Sequence, residues 1–255
     1  MNKGIAFEHQ SGPGPAVVFI HGWTCCRNHW RAQLQHLAGR HETLAMDLPG
    51  HGDSAPDDRQ EWSMGGFARD VVELLGKLDS QQAILVGHSM GGTVALEAAA
   101  MAPERVMGVV LADTFLINYG AMDEATINGF YEPFAEDFAA AVGDLVNNTT
   151  GPKASEALKA RIAQGMAAAD PSWALPAWAA LLRWDPSESF ANYAGPIHAI
   201  NCPLIPGATR ERLAPYMSET IIPDTGHFLN QEAPDAFNQA LDKAITRIAE
   251  RHPNG

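Results

Sequence analysis

The chain has 255 residues, 46% of them hydrophobic and 18% charged, a balance that excludes an intrinsically disordered chain. A formal charge of −13 at pH 7 repels phosphate backbones and anionic membrane surfaces, so neither nucleic acid nor a membrane is expected as a partner. Three cysteines, with Cys25 and Cys26 adjacent, make no disulfide framework, and no apolar run reaches the roughly 18 residues of a membrane span.

Met1 leads through Asn2-Lys3-Gly4 into a short strand-like stretch without an apolar leader, so the cytoplasm is the expected compartment. Residues 16–20 (Ala-Val-Val-Phe-Ile) form a continuous apolar run of the kind buried on both faces of a sheet, after the turn Gly12-Pro13-Gly14-Pro15. A helix is expected over 29–37 and a strand over 43–46, ending in Asp47-Leu48-Pro49-Gly50-His51-Gly52. The alternation continues with a helix over 67–78, a strand over 83–86, an alanine-rich helix over 92–101 and a strand over 106–112. This rhythm predicts an α/β fold, a mostly parallel central sheet with helices on both faces. It stops after Asp113. Residues 116–190 carry helical patterns and no buried strand, with helices expected over 155–166 and 173–182. Strands return at 197–200 and 220–222, and an amphipathic helix closes the chain over 234–251. The expected organisation is a core domain of residues 1–115 and 191–255 interrupted by a helical cap of residues 116–190.

Gly87-His88-Ser89-Met90-Gly91 is a G-x-S-x-G placed between a buried strand and a helix, the context this motif requires. In a strand-to-helix turn that sharp, the two flanking glycines let the chain fold back, and the helix N-terminus favours developing negative charge. Ser89 is therefore the expected nucleophile and the Met90 N–H an expected oxyanion donor. A serine in a glycine-rich turn can also be a plain helix cap. A serine hydroxyl needs a base to take its proton, and His227, in Asp224-Thr225-Gly226-His227-Phe228 after the last strand, is the expected one.

With His21-Gly22-Trp23, the stretch from Asp47 to Ser54, the Ser89 turn and Gly226-His227-Phe228 in this order and spacing, the chain resembles the α/β-hydrolase superfamily over nearly its whole length. The resemblance implies that Trp23 supplies the second oxyanion N–H. It also separates this chain from epoxide hydrolases and haloalkane dehalogenases, which carry Asp as nucleophile, and points to a serine esterase. The acid of the resemblance should follow the strand before the last, but Pro203 stands near that place in Ile200-Asn201-Cys202-Pro203. Asp113, at the end of the strand next to the Ser89 strand, and Glu211, on the later loop, are the alternatives, with Asp113 favoured.

His21 and His51 are expected to brace loops, and Asp47 and Asp53 to form turns. No P-loop, dinucleotide fingerprint or zinc spacing is found, so no cofactor and no metal are expected. Residues 116–190 hold ten acidic and four basic side chains and many aromatics, Trp178 among them. A neutral, largely apolar small-molecule ester is the expected substrate, with a lactone, a carbon–carbon bond or a receptor's ligand as alternatives on the same site.

Overall fold

The computed structural model describes residues 4–56, 59 and 61–251; Met1 to Lys3, where the reading of a missing leader begins, lie outside the described residues. The apolar runs become the middle of a seven-stranded sheet built from β1 (Phe7–Gln10), β2 (Gly14–Ile20), β3 (His41–Met46), β4 (Ala83–His88), β5 (Val106–Ala112), β6 (Ile197–Asn201) and β7 (Ser218–Ile221). Their order across the sheet is β1-β3-β2-β4-β5-β6-β7. All neighbours are parallel except β1, which runs antiparallel to β3.

Alternate residues of β2 enter opposite layers. Ala16, Val18 and Ile20 pack with α2 (Met64–Leu75) and α3 (Met90–Met101) on one face. Val17 and Phe19 pack with α1 (Arg31–Leu37) and the last helix, α11 (Pro234–Ala249), on the other. A sheet covered on both faces has no polar side, which is why its central strands read as unbroken apolar runs. Each fully buried Phe, Leu, Ile or Val contributes roughly 1.5–3 kcal/mol, so these two layers carry the fold.

Between β5 and β6 the chain forms α4 (Glu124–Glu136), α5 (Phe138–Thr149), α6 (Glu156–Ala167), α7 (Pro171–Leu182) and α8 (Ser187–Asn192). The first four are each started by a side chain accepting a backbone N–H: Asp123 from Thr126 (2.9 Å), Asp137 from Ala140 (3.1 Å), Ser155 from Leu158 (3.2 Å) and Asp170 from Ser172 (2.8 Å).

Element ends differ from expectation where a local feature outweighs periodicity. Helix α2 starts at Met64 rather than 67 because the Ser63 hydroxyl accepts from the Gly66 N–H at 3.1 Å, holding the Gly65-Gly66 pair in the first turn. Strand β4 runs on to His88, and the edge strand β7 starts at Ser218. The stretch read as a loop after β6 contains α9 (Gly207–Leu213). A short α10 (Leu229–Glu232) precedes α11.

Candidate active site

Strands β2, β4, β5 and β6 end level with one another, since Ile20 pairs with Gly87, His88 with Ala112, and Ala112 with Ile200. Their following loops therefore meet at one edge. Chain order reverses between β2 and β4, and such a switch point opens a crevice at the carboxyl ends of the strands. Ser89 lies in it. Its backbone has φ 52° and ψ −123°, a conformation that costs a non-glycine residue about 1–3 kcal/mol and persists because the surroundings over-determine it. A Cβ at Gly87 would run into the backbone of Gly91, and one at Gly91 into the Ile20 carbonyl, so both glycines are required by close approach. The Ser89 side chain makes no capping bond to α3, which removes the plain helix-cap reading.

Asp113 and His227 are brought together. Asp113 follows β5 in a left-handed conformation (φ 48°, ψ 40°), and its N–H donates to the Ile200 carbonyl at 3.0 Å. One carboxylate oxygen accepts from the Cys202 N–H at 2.8 Å, and the other from His227 Nδ1 at 2.7 Å. Asp113 is 0% exposed and His227 8%. A carboxylate buried so completely is tolerable because both oxygens are hydrogen-bonded. Since a carboxylate accepts, the proton is assigned to Nδ1, leaving the Nε2 lone pair as the proton acceptor. Pro203 takes the place where an acid was sought, and the N–H one residue before it bonds the Asp113 carboxylate, which follows β5. Glu211 is exposed on α9 and makes no hydrogen bond to His227.

The N–H groups of Trp23 and Met90 donate to no described residue. Gly22 lies against Ser89, so close that an added Cβ would stand 3.3 Å from the serine Cβ. His21 holds this loop as expected: its Nδ1 bonds the Gly22 carbonyl at 2.8 Å and its Nε2 accepts from the Leu48 N–H at 3.0 Å, while burial keeps its pKa below the ordinary value. His51 is also a brace, donating to the Pro49 carbonyl (3.0 Å) and packing on Trp173 of α7 at 4.3 Å. Asp47 does more than form a turn. It is buried, ion-paired with Arg27 and bonded to the N–H of Arg27 and Asp53 (2.6 and 2.9 Å). Asp53 completes the pair, 2.7 Å from Arg27.

Trp23 also ties the site to the insertion. Its indole N–H donates to the Ala174 carbonyl on α7 at 2.8 Å, and its ring stacks on Trp178 with centroids 4.8 Å apart. A cavity of about 300 Å³ opens above Ser89 and His227, walled by Phe130, Phe134, Met166 and Trp178 from the insertion and by Leu204 from the core.

Neither His88 nor Cys202 was singled out in the sequence. His88 lies inside the serine motif, and its Nε2–H donates to the His227 carbonyl at 2.8 Å, while burial drives its pKa well below the ordinary value and keeps it neutral. Cys202 acts through its backbone N–H alone, a role no side-chain pattern could reveal. Among the described residues, the one group of three ligand-type side chains close enough to share a metal is His9, Glu42 and Asp79. Its Glu42 already bonds His9 and the N–H of Asp79 and Ser80, linking β1 to β3.

A serine on a strained strand-to-helix turn, with a buried His–Asp pair at the same edge of a parallel sheet, is the arrangement of the α/β-hydrolase class. Residues 17–240 match the alpha/beta hydrolase family, and the chain belongs to that family. The chain is 29% identical to a 2-(acetamidomethylene)succinate hydrolase from Mesorhizobium japonicum, over 92% of this chain and 90% of that one. It is 28% identical to a dihydrolipoyllysine-residue acetyltransferase component of an acetoin cleaving system from Cupriavidus necator, over 94% of this chain and 66% of that one. Of several curated relatives the chain spans only part, 32%, 66% and 19% of their lengths. Among solved structures it is similar to a bromoperoxidase from Bacillus anthracis, with a TM-score of 0.84, 25% identity and 95% of each chain covered. No described helix is long and apolar enough to cross a membrane.

Proposed function

We propose that this protein is a hydrolase that cleaves carboxylic esters of small, largely apolar, neutral substrates through an acyl-enzyme. The observation that carries this reading is the 2.7 Å bond between His227 Nδ1 and a fully buried Asp113, beside the cavity that Ser89 lines. Ser89 Oγ attacks the ester carbonyl as His227 Nε2 takes its proton, and Asp113 stabilises the imidazolium. The Trp23 and Met90 N–H groups, having no protein partner, hold the oxyanion. Collapse expels the alcohol, protonated by His227, and water repeats the sequence on the acyl-enzyme.

The cavity supports a neutral substrate, because Phe130, Phe134, Met166 and Trp178 wall it and, among the described residues, no Lys or Arg lines it. A dicarboxylate such as the succinate named for the Mesorhizobium relative would find no cation there among the described residues. Residues 116–190 serve in this reading as a lid that sizes the acyl group.

The test is a panel of p-nitrophenyl esters followed in the pre-steady state, with fluorophosphonate labelling mapped by peptide mass. A burst, turnover and labelling confined to Ser89, all lost in Ser89→Ala, are expected. Labelling elsewhere removes the assignment, and labelling of Ser89 without turnover on any ester or lactone makes the protein a receptor on a hydrolase fold.

A further inference from the structure

We infer that Glu232 is a positioning residue for His227, fixing the imidazole by holding the backbone on both sides of it. Glu232 ends α10, five residues after His227, and its carboxylate makes three hydrogen bonds, all to backbone N–H groups. One oxygen accepts from Gly226 and from Gly151, each at 2.8 Å, and the other accepts from Phe228 at 3.1 Å. Gly226 and Phe228 flank His227 directly. Gly151 belongs to the turn after α5, in the insertion, and all three donors are on buried residues. Without an acceptor, three buried N–H groups would be left unpaired, each a cost comparable to a lost hydrogen bond.

Glu232 has no ion pair among the described residues, so its charge is directed at these amides, where charge-assisted bonds are shorter and stronger than neutral ones. The insertion meets the loop from the other side as well. The His227 N–H donates to the Thr149 carbonyl at 2.7 Å, and a Cβ at Gly226 would run into that same carbonyl. A Cβ at Gly151 would stand 2.5 Å from the carbonyl carbon of Thr225. Two backbones this close need a small, strong link, and one carboxylate oxygen shared by Gly151 and Gly226 is that link. With His88 donating to the His227 carbonyl, the peptide groups of His227 and both neighbours are held, and the ring is left one productive direction, toward Asp113.

The inference concerns the geometry of the His227–Asp113 pair and rests on the ester-hydrolase reading only for its kinetic readout, so two measurements separate them. The first is the low-field proton resonance of His227 Nδ1–H, absent in His227→Ala. It should broaden or vanish in Glu232→Gln, whose amide cannot accept from all three donors, whether or not any ester is turned over. The second is kcat per labelled Ser89. Glu232→Gln should lower it about 10- to 100-fold, the scale of a misplacement near 1 Å, with KM nearly unchanged. In a His227→Ala background the same substitution should cost less than about twofold, because its route to catalysis is gone.

Glu232→Asp, which keeps the charge and shortens the reach, should fall between, and carries both measurements if the Gln variant does not fold. An unchanged resonance with normal kcat overturns the inference. So does an equal loss in both backgrounds, which marks a merely structural residue, or a change in KM alone, which marks a lid contact. If the resonance responds and no ester is hydrolysed, the positioning role stands and the ester reading falls.

Discussion

At the carboxyl edge of the sheet, Ser89 and Asp113 hold positive-φ backbone immediately after buried strands, at φ 52° and 48°. In the insertion, the cavity-lining Phe130, Phe134 and Trp178 sit on helices. The edge aims its side chains by backbone geometry that register and close glycine contacts dictate. The insertion aims its own by packing ring on ring, as in the stack of Trp178 on Trp23 and the contact of Trp178 with Phe134 at 5.3 Å. Substitutions at the edge should therefore strike chemistry with little effect on binding, whereas those in the insertion should divide between stability and selectivity according to burial.

Asp113→Asn tests the edge most severely. It preserves shape but removes the acceptor that fixes the His227 tautomer, and kcat on a p-nitrophenyl ester should fall by about 10³–10⁴ with KM little changed. Glu211→Gln, on the exposed side of α9, should leave both constants near normal. The reverse pattern would return the acid to the later loop and break the comparison at its centre.

Trp178→Ala separates packing from selectivity within the insertion. Trp178 is nearly fully buried, stacks on Trp23 and donates to the Phe130 carbonyl at 3.1 Å, so its removal should cost about 3–5 kcal/mol in urea unfolding. A loss below about 1 kcal/mol would mean that the insertion does not depend on this ring.

Acidification probes the edge through its buried histidines. Burial holds His21, His51 and His88 below the ordinary value of 6.5, and burial with the charges of His21 and Arg161 brings His29 down to about 3. Unfolding restores the ordinary value, so below pH 6.5 the unfolded chain binds more protons than the folded one. The stability these residues contribute is complete above pH 6.5 and is lost as the pH falls from there toward 3, by about 1.4 kcal/mol per pH unit for each proton taken up. Urea titrations at pH 7.5, 6.5, 5.5 and 4.5 should show this decline, and His29→Asn should flatten it. Equal stability at all four pH values would contradict it.

Phe130→Ala has the smallest expected effect. The ring is 41% exposed while lining the cavity, so stability should change by about 0.5 kcal/mol or less. Acyl preference should shift toward longer chains by roughly tenfold, the lower end of the scale of a methylene in an apolar pocket. No shift in preference, measured as kcat/KM across acetate to octanoate, would remove this wall from the selectivity of the site.

Much of this site was legible before the fold was known, because it is written in local constraints. A run of small and branched apolar residues before Gly87-His88-Ser89-Met90-Gly91 specifies strand, turn and helix within a few residues, and the absence of two Cβ atoms is visible in the letters themselves. The capping residues Asp123, Asp137, Ser155 and Asp170 likewise sit beside the helices they start. Glu232 was not singled out, although it stands only five residues from His227, because its partners are backbone amides and amides carry no residue identity.

Residue order along the chain sets the strand and helix alternation, the serine turn and the helical character of residues 116–190, since each depends on near neighbours. Asp113 could be reached from sequence by elimination and by its place at the end of the strand next to that of Ser89, but not by any local pattern, for it and His227 are 114 residues apart. That pairing comes from the assembled sheet, which lays β5 beside β6 so that the Cys202 N–H and the His227 ring converge on one buried carboxylate. The fold also sets which aromatics of the insertion face the cavity, and it joins the loop after β2 to α7 through Trp23. Ring contacts and shared amides are set by the meeting of distant elements, and no local preference of the chain encodes them.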